Sequence, residues 1–370
     1  MKKVCFVTAA RSEYGILKWL MRDVMQSSKF QFQLIVTGGH LLQEQGYTIN
    51  QIIEDGFSID EKIDCMLDTS TEATIAAAMG RMAEKFANVF QRLKPDMLVV
   101  LGDRYELLAI CSTAFIMGIP IAHISGGDVT EGAIDDGVRN AVTMLATYHF
   151  PGTQDSANNI ARMRNSDVNI WTVGEPGLDA FNRELLMDRT ALAENLGLDM
   201  DKKWVLMTYH SETTKTLEYN LDAVEKSLSL LKDLDGYQIV ATYSNADFGG
   251  RYINELLEKT SKEYQEQFKV IPSLGNLRYL SFMKQVEFVI GNSSSGIVEA
   301  PALSIPVVNI GDRQKGRYQC RNIIQCGTSK EDIECAIRKA IEMDRSQISD
   351  AGYWGDGNTA ERIVRILEEV

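Results

Sequence analysis

Short apolar runs recur along this chain. Each is closed by a turn of small or polar residues and followed by a stretch of helical periodicity. Residues 4–8, 32–37, 97–101, 119–124 and 169–173 read as buried strands, and 14–26, 72–93 and 135–147 as amphipathic helices between them. Strand alternating with helix predicts a parallel sheet covered on both faces. Gly174-Glu175-Pro176-Gly177 interrupts the alternation and predicts a hinge. The pattern restarts with strands at 204–208, 237–241, 268–271, 288–290 and 307–310. The expected fold is α/β, with two Rossmann-like doubly wound domains facing a cleft. The first domain is expected at 1–173 and the second at 174–358, with a last helix, 359–370, crossing back onto the first.

Composition narrows the partners. At 370 residues the chain is too long for one ordinary core and long enough for two. Hydrophobic residues at 45% and charged residues at 24% suit a soluble globular protein. A net charge of −13 argues against nucleic acid or an anionic membrane as the main partner. A polyanionic ligand would need a locally basic or backbone-lined pocket. The cysteines are scattered without metal-type spacing, and Cys320 and Cys326 have no histidine nearby. No metal site is expected, and free thiols fit a cytoplasmic protein. The stretch from Met1 to Gly15 has too short an apolar run for a signal peptide. Residues 107–124 are the candidate membrane span, but Ser112, Thr113, Gly118, Pro120 and His123 interrupt them. They read instead as a buried helix, a turn and a buried strand.

Ligands of open α/β sheets bind beyond the C-terminal ends of the strands, and the polar clusters gather there. In the first half they are Arg11-Ser12-Glu13, Gly38-Gly39-His40, Gly102-Asp103-Arg104 and Ser125-Gly126-Gly127-Asp128. In the second they are His210-Ser211-Glu212, Ser244-Asn245, Ser273 and the turn Gly291-Asn292-Ser293-Ser294-Ser295-Gly296. That turn joins a strand to a helix beginning near Ile297. Serines and glycines at a helix N-terminus let backbone N–H groups approach an anion. Glu299, in the first turns, can accept from vicinal hydroxyls such as those of a ribose. Ser293 and Ser294 also suit a plain helix cap. The functional reading is a nucleoside diphosphate held by Ser293, Ser294 and Gly296, with Glu299 on its sugar. His210 and Asp103 end strands at the same rims. Asp135 and Asp136 open a helix, as caps or as a carboxylate pair whose proximity separates acid from base. Arg139, one turn later, could hold either one ionised. No dinucleotide glycine fingerprint follows the first strand, and no cofactor is expected.

The run from Asn292 to Glu299 resembles the UDP-binding signature of the UDP-N-acetylglucosamine 2-epimerases. It most resembles the hydrolysing branch that feeds sialic, legionaminic and related nonulosonic acids. The likeness covers nearly the whole chain. Thr8-Ala9-Ala10-Arg11-Ser12-Glu13-Tyr14-Gly15 resembles the opening loop, which implies that Arg11 contacts the phosphates. Gly102-Asp103-Arg104 matches the segment of a catalytic Asp, and Thr208-Tyr209-His210 that of a catalytic His. His123-Ile124-Ser125-Gly126-Gly127-Asp128 and Gly132-Ala133-Ile134-Asp135-Asp136 resemble a glycine turn and an acidic helix start. The segment from Gly311 to Arg317, with Arg313, resembles the phosphate-side arginine loop. His40, Arg104 and Asn245 are candidates for sugar contact or closure. One departure stands out: several relatives carry a catalytic Glu where this chain has Ser125. Asp128, Asp103 or the Asp135/Asp136 pair must then do the proton work, or the substrate differs. After His210 the run Ser211-Glu212-Thr213-Thr214 is more like the hydrolysing enzymes.

The resemblance implies a GT-B-like architecture and hydrolysis of UDP-GlcNAc to UDP and N-acetylmannosamine. The route it implies is C2 deprotonation, anti-elimination of UDP and hydration of the glycal. One alternative is the same reaction on UDP-diacetylbacillosamine. Others are a GT-B glycosyltransferase and a UDP-sugar-binding regulator without turnover. The expected partner is a UDP-sugar, with no nucleic acid and no membrane, and the protein is expected to be a homo-oligomer.

Overall fold

The computed structural model describes the chain except Leu67, Gly132, Ala133, Ala246 and Ser349 and the side chain of Glu44. It divides into two units. Unit 1 is Met1–Val129, Ile134–Asn182 and Trp354–Val370, and unit 2 is Thr130–Ala133 and Arg183–Tyr353.

Unit 1 holds β1 (Lys2–Thr8), β2 (Phe30–Thr37), β3 (Glu61–Ile63), β4 (Met97–Leu101), β5 (Ile121–Ile124) and β6 (Tyr148–Phe150). They form a parallel sheet in the order β3-β2-β1-β4-β5-β6. Successive residues of a strand point to opposite faces, so β1 feeds two cores. Val4 and Phe6 pack beneath the helices Arg11–Gln26 and Thr359–Glu369. Cys5 and Val7 pack beneath Glu72–Leu93, Glu106–Ile116 and Asp135–Leu145. Burial on both faces is why β1 is apolar throughout its middle rather than alternating.

Unit 2 repeats the plan with β7 (Lys203–Thr208), β8 (Tyr237–Thr242), β9 (Phe268–Ile271), β10 (Phe288–Gly291), β11 (Val307–Ile310) and β12 (Ile323–Cys326). Its order is β12-β11-β10-β7-β8-β9. In both sheets the strand order reverses beside the first strand: between β1 and β4, and between β7 and β10. The loops after those strands flank the switch point where such folds take their ligands.

Several expectations change. The segment 169–173 is not a strand; it meets the sheet through an isolated bridge from Ile170 to His149. The edge strands β3, β6 and β12 were not expected. The helix Glu106–Ile116 is apolar all round but not wholly buried, since Phe115 is 53% and Ile116 83% exposed. Among the described residues no helix is long and apolar enough to cross a membrane.

The boundaries also move, from 173/174 and 358/359 to 182/183 and 353/354. Residues 174–178, expected as a hinge, are buried inside unit 1. Glu175 N–H donates to Trp354 O at 2.8 Å. Asn182 Nδ2 donates to the carbonyls of Asp356 and Gly357. These bonds tie residues 174–182 to the final segment within one unit. Asp179, fully buried, accepts from Thr359 N (2.8 Å) and Ala360 N (2.6 Å) and so caps the last helix from outside it. Asp179→Ala strips both bonds and should cost about 1–2 kcal/mol in urea unfolding. Amide exchange should then show residues 359–369 losing protection ahead of β1; wild-type protection there would disprove the capping role.

Candidate functional site

Each unit carries its own polar edge at the switch point. In unit 2 the edge is built around Asn292, which is 1% exposed. It follows Gly291, whose φ of 138° and closeness to Thr208 leave no room for a side chain; a Cβ would lie 2.0 Å from Thr208 O. Asn292 Oδ1 accepts from His210 N at 2.7 Å, and Nδ2 donates to His210 O at 2.8 Å. The side-chain amide thus pairs with both main-chain groups of His210 and locks the loop after β10 to the loop after β7. The Asn292 carbonyl in turn accepts from Arg313 Nη1 (3.2 Å) and Gln314 Nε2 (2.9 Å), which brings in the loop after β11.

The helix Ser294–Ala302 starts from this clamp. Ser293 is its N-cap and accepts from Ser295 N, while Ser295 Oγ donates to Ser293 Oγ at 3.0 Å and pairs with the Tyr279 hydroxyl at 2.6 Å. Ser293 is half-buried and Ser294 exposed at the helix start. Capping therefore coexists with an open anion-binding end. Gly296 has a packing reason instead: a Cβ would meet Val307 Cγ1 at 2.9 Å, so glycine lets the helix lie close on β11. Glu299 is 9% exposed, and burial pushes its carboxyl up to about 7 against the partial relief of Arg317.

His210 is 7% exposed, and its Nδ1 accepts from Asn245 N at 3.1 Å. In the neutral ring the proton then sits on Nε2, which is a donor. The backbone of Asn245 thereby sets the tautomer, a different role from the sugar contact expected of its side chain. Glu212, fully buried, supports the arginine loop. Its Oε1 accepts from Asp312 N at 3.1 Å and lies where a Cβ of Gly311 would stand. Burial raises its carboxyl to about 7.

In unit 1 the fully buried Arg139 gathers the acids. It pairs with Asp103 Oδ2, donates from Nη1 to Asp128 O at 2.8 Å, and lies 3.5 Å from Asp136 Oδ1. Burial opposes its charge, but Asp103 and Asp128 more than compensate and its pKa is raised. Asp103, with its side chain 24% exposed, thus sits at the end of β4 beside the start of the helix Asp135–Leu145. Asp135 and Asp136 occupy that helix's first turn, and Asp136, half-buried, also accepts from Asn140. Gly132 and Ala133 of the acidic-start motif lie outside the described residues. Asp128 is 6% exposed, and its carboxylate accepts from Ser156, itself held by Thr153.

Other expected residues fall differently. Arg11 opens the helix Arg11–Gln26 and is half-buried. Glu13, two residues on, accepts from Ala9 N and Ala10 N; burial, then the charge of Glu106, push its carboxyl up to about 8. Arg104 grips the fully buried Glu106 with two nitrogens, at 3.1 and 3.2 Å. His40 does not fit a sugar contact. It is fully buried, its Nε2 meets Thr8 Oγ1 at 3.0 Å and its Nδ1 meets Thr48 Oγ1 at 2.7 Å, and burial lowers its pKa to about 3. It is a neutral bridge in the core of unit 1. A concavity of 570 Å³ beside Trp171 and Arg362 holds none of the candidate residues.

Asn292 and Glu212 fall inside polar clusters that the sequence marks, but their roles as clamp and loop prop, and the buried Glu175, are not visible there. Glu175 was hidden in a Gly-Glu-Pro-Gly run that reads as a hinge.

Two doubly wound sheets, each with polar turns at its switch point, define an α/β protein of GT-B-like architecture. The chain belongs to the UDP-N-acetylglucosamine 2-epimerase family, whose model matches residues 22–368. It is 34% identical to a Campylobacter jejuni GDP/UDP-N,N'-diacetylbacillosamine 2-epimerase (hydrolyzing), over 94% of this chain and 89% of the relative. It is 31% identical to a Legionella pneumophila UDP-N,N'-diacetylbacillosamine 2-epimerase (hydrolyzing), over 100% and 96%. Its fold matches a Methanocaldococcus jannaschii UDP-GlcNAc 2-epimerase solved with UDP-GlcNAc and UDP, at a TM-score of 0.84, 20% identity and full coverage of both chains.

The raised carboxyl of Glu299 has a readable consequence. Its folded value, about 7, lies above the ordinary 4.5, so the stability it contributes is present below about pH 4.5 and is lost as pH rises through 7. Glu299→Gln carries no such loss. The variant should match wild type near pH 4.5 and melt a few degrees higher at pH 8, roughly the shift that 1 kcal/mol gives. An equal difference in Tm at both pH values would show that Glu299 is not held out of water.

Proposed function

We propose that this chain is a hydrolysing 2-epimerase of a UDP-linked 2-acetamido sugar, with UDP-N,N'-diacetylbacillosamine as the preferred substrate and UDP-GlcNAc second. The relatives at 34% and 31% identity support that order, which reverses the one drawn from the sequence. The observation that carries the reading is the pair of carboxylates, Asp103 and Asp136, held on one buried arginine that also bonds the Asp128 carbonyl, in a chain of this family.

In this reading unit 2 takes the diphosphate. Ser293 and Ser294 offer the helix N-terminus, Arg313 offers positive charge, and Glu299 accepts from the ribose. Such groups stabilise the charge that develops on a departing phosphate. His210 offers its Nε2 proton to the same oxygens. At C2 a proton leaves, its electron pair forms the C1=C2 bond, and the C1–O bond breaks with UDP taking that pair. Water then adds at C1 while a proton returns to C2 from the opposite face. Inversion thus needs two proton-transfer groups, and Asp103 is the first candidate for one of them. Asp135 and Asp136 can set the charge around it.

The test is turnover of both UDP-sugars in deuterium oxide, with products identified by NMR. UDP release with deuterium at C2 of the free 2-epimer is the expected result. A product still protiated at C2, a sugar passed to an acceptor, or binding without UDP release would each contradict the reading. Asp103→Asn keeps the shape and should lower kcat about 10²–10⁴-fold with UDP affinity little changed.

A further inference from the structure

Ser125 follows β5 with a φ of 57°, a left-handed conformation that a non-glycine residue keeps only when its surroundings enforce it. Those surroundings are visible. Its N–H donates to Phe150 O at the end of β6 (3.0 Å), and its hydroxyl donates to Glu175 Oε2 at 2.7 Å. Glu175 is 7% exposed and anchored through its own N–H to Trp354 O. Its Oε1 occupies the place a side chain at 152 would need, 1.9 Å from the Cβ position of Gly152. The chain thus spends a glycine, a left-handed serine and a buried acid on one contact.

The contact lies on the acid edge of unit 1. Gly102, next to Asp103, donates its N–H to Ile124 O at 2.9 Å, and its carbonyl accepts from His123 Nε2 at 2.8 Å. Ser125 therefore stands one strand over from Asp103, at the same strand ends. The two carboxylates are held differently. Asp103 is engaged by a guanidinium, which draws on the lone pairs that proton uptake would use. Glu175 is bonded through a hydroxyl, which can pass a proton in either direction. A serine hydroxyl backed by a carboxylate is the arrangement that lets oxygen accept one proton while releasing another.

Resting on the 2-epimerase reading above, we propose that Ser125 and Glu175 are the second proton-transfer group, the one that removes the C2 proton. Ser125 Oγ takes that proton as its own moves to Glu175 Oε2. The C2–H electron pair becomes the C1=C2 bond, and UDP leaves with the C1–O pair. The opposite face of C2, on the more water-exposed Asp103 side, then receives a solvent-derived proton. Ser125 touches the substrate, and Glu175 acts through it as a positioning and relay residue.

Glu175→Gln is the sharpest test, because its amide oxygen can still accept from Ser125 and preserve the shape. The full chain is compared as wild type, Glu175→Gln and Ser125→Ala, using C2-protiated and C2-deuterated substrate. UDP affinity is read by calorimetry and folding by Tm. Both variants should bind UDP as wild type does, lose about 10²-fold or more in kcat, and show a larger C2 deuterium isotope effect, since proton removal becomes the slow step. Should Glu175→Gln lower Tm, Glu175→Asp, which retains the carboxylate, should recover part of kcat and Ser125→Ala should still show the isotope effect. Variants within a few-fold of wild-type kcat, or slowed with an unchanged isotope effect, would overturn the relay and leave the 2-epimerase reading standing. Wild type that releases no UDP from either sugar would overturn that reading and the relay with it.

Discussion

The amide of Asn292 holds the diphosphate edge of unit 2 together. Its side chain pairs with both main-chain groups of His210, and its carbonyl accepts from Arg313 and Gln314. One buried residue thereby fixes three loops that leave β7, β10 and β11. Such a clamp is needed because the strands stop at Gly291 and Thr208, and the sheet ladder does not position the loops beyond them. A polar group this buried must be hydrogen-bonded, and here satisfying it sets the spacing of the site. His210, the serine turn and Arg313 inherit their positions from it.

Unit 1 solves the same problem with charge. Arg139 is fully buried against the carboxylates of Asp103 and Asp136 and the main-chain carbonyl of Asp128, and removing both carboxylates would leave its buried charge poorly compensated. The arrangement orients acids on two strand-end loops and one helix start, and it fixes the Asp103 carboxylate against a guanidinium. Glu175 is supported by a hydroxyl and by a glycine that makes room for it. That difference in support is the physical basis for giving the two carboxylates different work. The raised carboxyls of Glu13, Glu212 and Glu299 share one cause, burial.

Much of this was legible in the sequence. Interior strands buried on both faces, such as β1, β4, β7 and β10, announce themselves as continuous apolar runs. The helix Glu72–Leu93 was read to the residue. The edge strands β3, β6 and β12 were not seen, because each is only three or four residues long and carries polar or charged residues. The stretch 169–173 has the apolar content of a strand but lies beside an edge and pairs through one bridge. Gly174-Glu175-Pro176-Gly177 has the composition of a hinge, yet tertiary bonds to Trp354 bury it. His40 ends a strand, as a site histidine would, and only the positions of Thr8 and Thr48 reveal that both its nitrogens are used inside the core. The serine turn was read as leading into a helix near Ile297, but the helix begins three residues earlier, at Ser294 with Ser293 as its cap, and the packing role of Gly296 depends on Val307, which no local pattern exposes.

UDP binding at the Asn292 clamp is the central claim. Hydrogen–deuterium exchange of the full chain, with and without saturating UDP, measures this peptide by peptide. Protection should concentrate in residues 291–299 and 311–317 of unit 2, where the clamp presents the helix N-terminus, Glu299 and Arg313. Protection confined to other segments, such as the Trp171 concavity, or no protection at all, would contradict it.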